Sequence, residues 1–203
     1  MSAKQPPSGQ TTSISQSPER TRVVYVPPWR VDVVRRAGIW LPISASAVAG
    51  AVIGALEVAG APAPGSVTIV FTDDPELAEL NLEHMGIEGA TDVLSFPMLA
   101  PEAFVRTGAP GQTSAARLTG AADGEPGPGQ MRRTHVGDIA ISVERAIEQA
   151  AEGRGGQTGD VAWSAEDELR LLVTHGTLHL CGWDHAEAEE EAAMRALERQ
   201  LLS

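Results

Sequence analysis

The sequence contains a single cysteine, Cys181, among its 203 residues. One cysteine excludes a disulfide bond within the chain and suits a reducing compartment. The segment after Lys4 has no continuous apolar stretch of the kind that a secretory signal contains. We therefore expect a cytoplasmic protein.

The chain also lacks an overall positive charge, with a formal net charge of −12 at pH 7. The charge is uneven, because residues 1–65 sum to +3 and residues 66–203 sum to −15. Affinity for a polyanion depends on local rather than total charge. Arg22, Arg30, Arg35 and Arg36 are therefore a candidate basic patch, with ordinary solvated arginines as the alternative.

One uncharged run, residues 39–56, is long enough to require comparison with a membrane span. Pro42 interrupts it, and much of it is Ala, Gly and Ser. From Ala45 onward, Val48, Val52 and Leu56 recur at helical spacing. The run predicts an amphipathic helix of a soluble domain.

Two stretches lack hydrophobic periodicity. Residues 1–20 are mostly Ser, Thr, Gln and Pro, and residues 98–133 are rich in Gly, Pro, Ala and Ser. Such segments bury too little apolar surface to order themselves. We expect a disordered tail at 1–20 and a single domain at 21–203, with a flexible insertion at about 98–133.

The remaining segments alternate between strand and helix patterns. Strands are predicted at 23–26, 66–71, 91–96 and 136–142, and helices follow from about Ala45, Asp74, Ser142, Ser164 and Ala188. Gly86 is a plausible end for the second helix. The pattern predicts a single-domain α/β (α+β) fold with a small four-stranded sheet packed with helices.

Three of the five histidines lie within residues 175–185, at His175, His179 and His185. Ser164 and Asp167 resemble a capping box, and the apolar residues beyond them predict a buried helix. His175 and His179 then lie one turn apart, and Gly182 can end the helix and turn the chain back toward them. Three imidazoles with an open fourth position predict a catalytic zinc site on this C-terminal helix and its return turn.

The spacing H-x-x-x-H-x-x-G-x-x-H has the frame of the metzincin proteases, but it lacks their carboxylate. In those enzymes a Glu follows the first His and acts as the general base. Gly176 stands at that position here. The substitution argues against peptide hydrolysis by that mechanism.

The same stretch resembles the signature of the YbeY family of bacterial rRNA maturation factors. Three more segments support the resemblance in the family's order: Leu80-Asn81, Thr91-Asp92-Val93-Leu94-Ser95-Phe96-Pro97 and Gly137-Asp138-Ile139-Ala140-Ile141-Ser142. The resemblance implies a mixed sheet and one zinc ion held by His175, His179 and His185. It further implies a zinc-dependent, single-strand-specific endoribonuclease that acts in small-subunit rRNA 3′ end maturation and ribosome quality control.

The implied partners are single-stranded rRNA and the ribosomal small subunit or its assembly factors, with no DNA and no membrane. Many family members carry a Tyr-Arg pair shortly after the Leu-Asn, whereas this chain has His84-Met85. Two alternatives to the nuclease stay open: a zinc-stabilised ribosome-assembly factor with little nuclease activity, and a metzincin-like metalloprotease.

The residues around the histidines allow two interpretations each. Asp184 is either a carboxylate that orients a zinc ligand or a turn residue. Thr91, Asp92 and Ser95 either line the site or form a turn and the start of a strand. Phe96 either stacks on an RNA base or packs in the core.

Overall fold

The computed structural model describes residues 18–104, 133–153, 163–184 and 188–203. Most of the predicted tail at 1–20 and of the predicted insertion at 98–133 lies outside the described residues. His185, the third predicted zinc ligand, also lies outside them.

The described residues form a single α+β domain around one mixed sheet. Its strand order is β1-β2-β3-β5-β4, with the outer pairs β1–β2 and β4–β5 antiparallel and the inner pairs parallel. The elements are β1 Arg20–Val26, β2 Trp29–Arg35, α1 Ala45–Val58, β3 Gly65–Thr72, α2 Asp74–Met85, β4 Val93–Pro97, β5 Thr134–Ser142, α3 Val143–Glu152, α4 Ala165–Leu180 and α5 Ala188–Leu202.

The sheet has five strands where the sequence predicted four, and the added one is β2. Its side chains alternate, so that Trp29, Val31 and Val33 are buried while Arg30 is exposed. Alternation of this kind is typical of a strand with one face on a core. Pro27-Pro28, which the sequence marks as the end of the first strand, forms the turn between β1 and β2.

Helices cover the two sides of the sheet unequally. One side carries most of the core, where Val31, Ile69 and Ile139 pack under α1 and α4. The other side has a smaller cluster, in which Leu77 of α2 contacts Leu94 and Ala140. This arrangement places α4 directly against β4 and β5.

The uncharged run at 39–56 supplies α1. The predicted apolar positions Val48, Val52 and Leu56 are buried, together with Ala49 and Ala55. Across the described parts of the chain, no helix is long and apolar enough to cross a membrane.

The predicted helix ends are mostly confirmed. Ser142 caps α3 through a hydrogen bond from Arg145 N, and Gly86 ends α2 in a left-handed conformation with φ 68°. The cap of α2 is Asp73, one residue before the predicted Asp74.

The first residues of the predicted insertion pack against the domain. A short 3-10 turn, Pro101–Ala103, follows β4, and Phe104 behind it is only 5% exposed in the main core. Residues 98–104 therefore contribute to the fold that holds α4 in place.

The helix α4 approaches the sheet closely at Gly176. A methyl group there would lie 3.0 Å from Ile139 Cγ2 and 3.1 Å from Ser95 Oγ, and that hydroxyl donates a hydrogen bond to Gly176 O. The absence of a side chain thus allows a direct helix-to-sheet contact.

Gly176→Ala should lower the free energy of unfolding by about 1–3 kcal/mol, because β4 and β5 must shift to admit the methyl group. Gly50→Ala is the matched control, since it lies in α1 with nothing within 4 Å of an added Cβ. The control should raise stability by up to about 1 kcal/mol through helix propensity. Urea denaturation measures both, and equal effects of the two substitutions would contradict the close contact.

Candidate metal centre

The helix α4 is fixed at its start by the predicted capping box. Ser164 Oγ accepts a hydrogen bond from Asp167 N at 3.2 Å, and the Asp167 carboxylate accepts one from Ser164 N at 3.0 Å. These hydrogen bonds to Ser164 hold the pKa of Asp167 below its usual value. Because the carboxylate form makes the cap, the helix start is defined at neutral pH.

The body of α4 is buried on more than one side. Leu169, Leu172 and Leu180 belong to the main core, while Leu178 packs with Ala55 of α1 and Met194 of α5. The buried hydroxyls of Thr174 and Thr177 donate to backbone carbonyls one turn earlier. A helix held in this way allows its side chains little freedom.

The end of α4 is the predicted glycine turn. Gly182 has φ 78°, and Trp183 N donates to Leu178 O at 3.1 Å as the chain reverses. An added Cβ at Gly182 would lie 2.9 Å from Pro101 Cβ. The residues after β4 therefore hold the turn that leads to His185.

His175 and His179 point their ring nitrogens at each other. Their Nε2 atoms are 3.1 Å apart, and the two rings are close to perpendicular. Both side chains are half-buried on the surface of α4. The i, i+4 spacing thus brings two nitrogen donors to one point, as the sequence predicts.

Glu198 of α5 fixes the orientation of His175. Its Oε1 lies 2.7 Å from His175 Nδ1, and its side chain is only 13% exposed. An ionised carboxylate can only accept a hydrogen bond, so Nδ1 carries the proton. In the neutral ring the lone pair is then on Nε2, the atom directed at His179.

The two histidines fit a tetrahedral metal ion. Two imidazole nitrogens at the usual 2.0–2.1 Å from one zinc ion are about 3.3 Å apart, close to the observed separation. A carboxylate on the other ring nitrogen is the usual partner of a zinc-bound histidine. Within the described ranges, no group of three or more potential ligands meets at one point, and the third predicted ligand lies outside them.

Cys181 is next to these histidines in sequence but belongs to the core. Its side chain is buried, and burial raises the pKa of its thiol to about 12. Cys181 is therefore a small buried residue of the core. Asp184 lies at the exposed end of the return turn, beside residue 185.

Ser95 and Phe96 of β4 lie on opposite sides of the sheet, and Asp92 precedes the strand. Ser95 contacts the backbone of α4 beside His175. Asp92 accepts hydrogen bonds from Val93 N and from Gln149 Nε2 of α3, which is the turn and strand-start role. Phe96 is partly buried against the cluster of Leu77, Leu94 and Ala140, and its ring lies edge-on to His84, so the core interpretation is the one observed.

Sequence reasoning missed Glu198. Glu198 lies 23 residues after His175, so no local spacing connects the two side chains. Nothing in the local sequence marks it, because α5 carries several other glutamates. Only the packing of α5 on α4 distinguishes it from the exposed acidic residues of the same helix.

The positions 84 and 85 lie at the end of α2. His84 contacts Phe96, and Met85 is 48% exposed. A long apolar side chain therefore faces solvent at the end of α2.

Comparison with known proteins adds a family to this geometry. The family model described as Endoribonuclease YbeY matches residues 44–203. Curated proteins named Endoribonuclease YbeY include one from Symbiobacterium thermophilum, 38% identical over 73% of this chain and 78% of its own length. Another, from Nocardia farcinica, is 35% identical over 85% of this chain and 78% of its own length. The chain therefore belongs to the YbeY endoribonuclease family.

Proposed function

We propose that this protein is a zinc-dependent, single-strand-specific endoribonuclease that acts in rRNA maturation and ribosome quality control. The observation that carries the proposal is the pair of Nε2 atoms 3.1 Å apart, with Glu198 on the opposite nitrogen of His175. Family membership supports RNA as the substrate.

In this proposal His175, His179 and His185 hold one zinc ion per chain. The described residues include two of the three proposed donors, and Gly182 precedes the third, His185, by three residues. Glu198 keeps His175 in the tautomer that presents Nε2, and the packing of α4 between α1, α5 and the sheet limits movement of both rings.

Bound zinc would act as a Lewis acid on a phosphodiester oxygen and would lower the pKa of a bound water to ~7. We assign Asp184 a supporting role, orienting the N–H of a histidine ligand from the return turn. The protease alternative is disfavoured, because the position of the metzincin glutamate is taken by Gly176 in tight contact with Ile139 and Ser95.

The proposed substrate is single-stranded rRNA near the 3′ end of the small-subunit rRNA, and the proposed location is the cytoplasm. The proposed partners are the ribosomal small subunit or its assembly factors. No DNA substrate and no membrane partner belong to this proposal.

A second candidate is a zinc-stabilised ribosome-assembly factor with little nuclease activity. It is favoured by Met85, which is exposed at the end of α2 where many family members have an arginine. Loss of a cation at that position removes one phosphate contact from the proposed substrate.

Purified protein should contain one zinc per chain, and His175→Ala, His179→Ala and His185→Ala should each lose most of it. Each substitution removes one of three protein ligands. Elemental analysis after gel filtration gives the zinc content, with His84→Ala as a control outside the centre. Wild-type zinc content in His185→Ala would show that the third ligand has been assigned wrongly.

Zinc-loaded protein should cleave labelled single-stranded RNA and leave single-stranded DNA and casein intact. His175→Ala should reduce the rate to background, because the metal no longer binds. RNA cleavage that survives His175→Ala would refute the metal-dependent mechanism. Zinc binding without RNA cleavage would favour the assembly factor, and casein hydrolysis would favour the protease.

Glu198→Ala should weaken zinc binding by about 10–100-fold, because His175 loses the carboxylate that orients it. Glu191→Ala is the control, since Glu191 lies on the same helix and pairs with Arg195 at the surface. Competition with a chelating dye measures the affinity, and nitrogen NMR shifts report the tautomer of His175. Equal zinc affinities in the two variants would remove Glu198 from the centre.

A further inference from the structure

A groove at the β1 edge of the sheet is lined by three arginines that have no acidic partner among the described residues. It has a volume of about 860 Å³ and lies between the β1–β2 hairpin, the 38–41 segment and the first turn of α1. Three of its lining residues are Arg20, Arg22 and Arg35, and Trp40 stands beside them. We call this the arginine groove.

The register of the hairpin places two of these charges directly opposite each other. Arg20 of β1 pairs with Arg35 of β2, and Arg22 lies two residues along β1 from Arg20, on the same face. Like charges opposite each other across an antiparallel pair destabilise a sheet. A bound anion between them would remove that repulsion.

The other arginines of the predicted basic patch are already paired, which corrects that prediction. Arg30 forms an ion pair with Asp32, and Arg36 binds the carboxylates of Glu76 and Glu19. These contacts with Glu76 and Glu19 raise the pKa of Arg36 further above its usual range. Of the four predicted residues, Arg22 and Arg35 have no acidic partner in the described parts of the chain, and Arg20 joins them.

Arg35 is held in position in the arginine groove by contacts that leave its positive charge in place. Arg35 donates to the carbonyl oxygens of Ile39 and Pro18, which fix the guanidinium without neutralising it. Among the described residues, Arg20 and Arg22 have no acidic partner within ion-pair distance. Unpaired guanidinium groups present donors that match the oxygen atoms of a phosphate.

Trp40 adds an aromatic surface to these charges. Its side chain is 70% exposed, the highest fraction among the exposed large apolar side chains of the described residues. A cationic groove with an exposed aromatic ring is the combination that binds single-stranded nucleic acid, through phosphates and stacked bases. A neutral ligand would not use the arginine charges, and an anion without an aromatic ring would not use the exposed face of Trp40.

We propose that the arginine groove binds a flanking segment of single-stranded RNA, with phosphates at Arg20, Arg22 and Arg35 and a base stacked on Trp40. This inference rests on the proposed function for its choice of RNA over other polyanions. The groove borders β1, whereas α4 contacts β4 at the opposite edge of the same sheet. Four strand spacings, roughly 19 Å, separate these edges. RNA bound in the groove therefore lies at a distance from the metal centre.

The test compares Arg20→Gln, Arg22→Gln and Trp40→Ala with Arg30→Gln in the full-length, zinc-loaded protein. Arg30→Gln is the matched control, because it changes the net charge equally in the same hairpin but removes an arginine already paired with Asp32. Binding of fluorescent oligouridylates is titrated at several salt concentrations. Oligomers of about 4 and about 16 nucleotides distinguish a local from an extended contact.

Arg20→Gln and Arg22→Gln should each lower the slope of log K against log salt by about 0.7 for the long oligomer. Trp40→Ala should weaken its binding by about fivefold or more, the loss expected for one stacked base. Arg30→Gln should leave the slope unchanged. Zinc content and the cleavage rate of the short oligomer should be unchanged in all four variants.

Wild-type slopes in Arg20→Gln and Arg22→Gln, with RNA still bound and cleaved, would refute the groove and leave the proposed function intact. An equal decrease of the slope in Arg30→Gln would also refute the groove, because the effect would then depend only on total charge. Binding of anionic phosphatidylglycerol vesicles at these arginines in place of RNA would also refute it. Absence of RNA binding and cleavage in the wild type would instead contradict the proposed function itself.

Discussion

The candidate metal centre depends on how closely α4 approaches the sheet. At Gly176 the helix backbone lies against Ile139 and Ser95, with one hydrogen bond from the serine hydroxyl to the helix carbonyl. Any side chain at this position would push α4 outward and would change the contacts of α5 that bring Glu198 to His175. The residue that distinguishes this motif from a metzincin is therefore a packing requirement as well as a missing base.

Burial also determines what the histidines can do. Their helix makes apolar contacts with α1, α5 and the sheet, so both imidazoles lie at the margin of an apolar region. Glu198 satisfies one nitrogen of His175, and His179 faces the other. A half-buried pair of nitrogens directed at one point is costly without a hydrogen or a metal ion between them. The geometry is thus organised before any third ligand arrives.

The local signals of the sequence predicted much of this arrangement. Caps at Ser142 and Ser164, glycine ends at Gly86 and Gly182, and the helical period of α1 and α4 all depend on residues a few positions apart. The strand β2 was missed because it follows two prolines directly, although its apolar and charged residues alternate from Trp29 to Val33. Its place between β1 and β3 depends on long-range pairing, which local patterns do not specify.

Contacts between residues far apart in sequence could not be predicted either, because local patterns do not specify long-range partners. Nothing near Glu198 separates it from its acidic neighbours until α5 is placed on α4. Likewise, Arg35 and Arg36 are adjacent in sequence, yet one holds carbonyl groups at the groove and the other is neutralised by Glu76 and Glu19. Charge counts cannot make this distinction, because it depends on which face and which neighbour each side chain meets.

The uneven distribution of charge explains how an acidic chain can present a cationic surface. Most of the negative charge lies after residue 65, whereas β1 and β2, which line the arginine groove, come before it. Electrostatic forces between exposed charges fall off over a Debye length of about 8 Å at physiological salt, less than the roughly 19 Å between the sheet edges. A polyanion at the β1 edge would therefore respond to the unpaired arginines there more than to carboxylates across the sheet. Screening also limits the repulsion between nucleic acid and the acidic surfaces to short distances. Approach along the basic edge is therefore favoured.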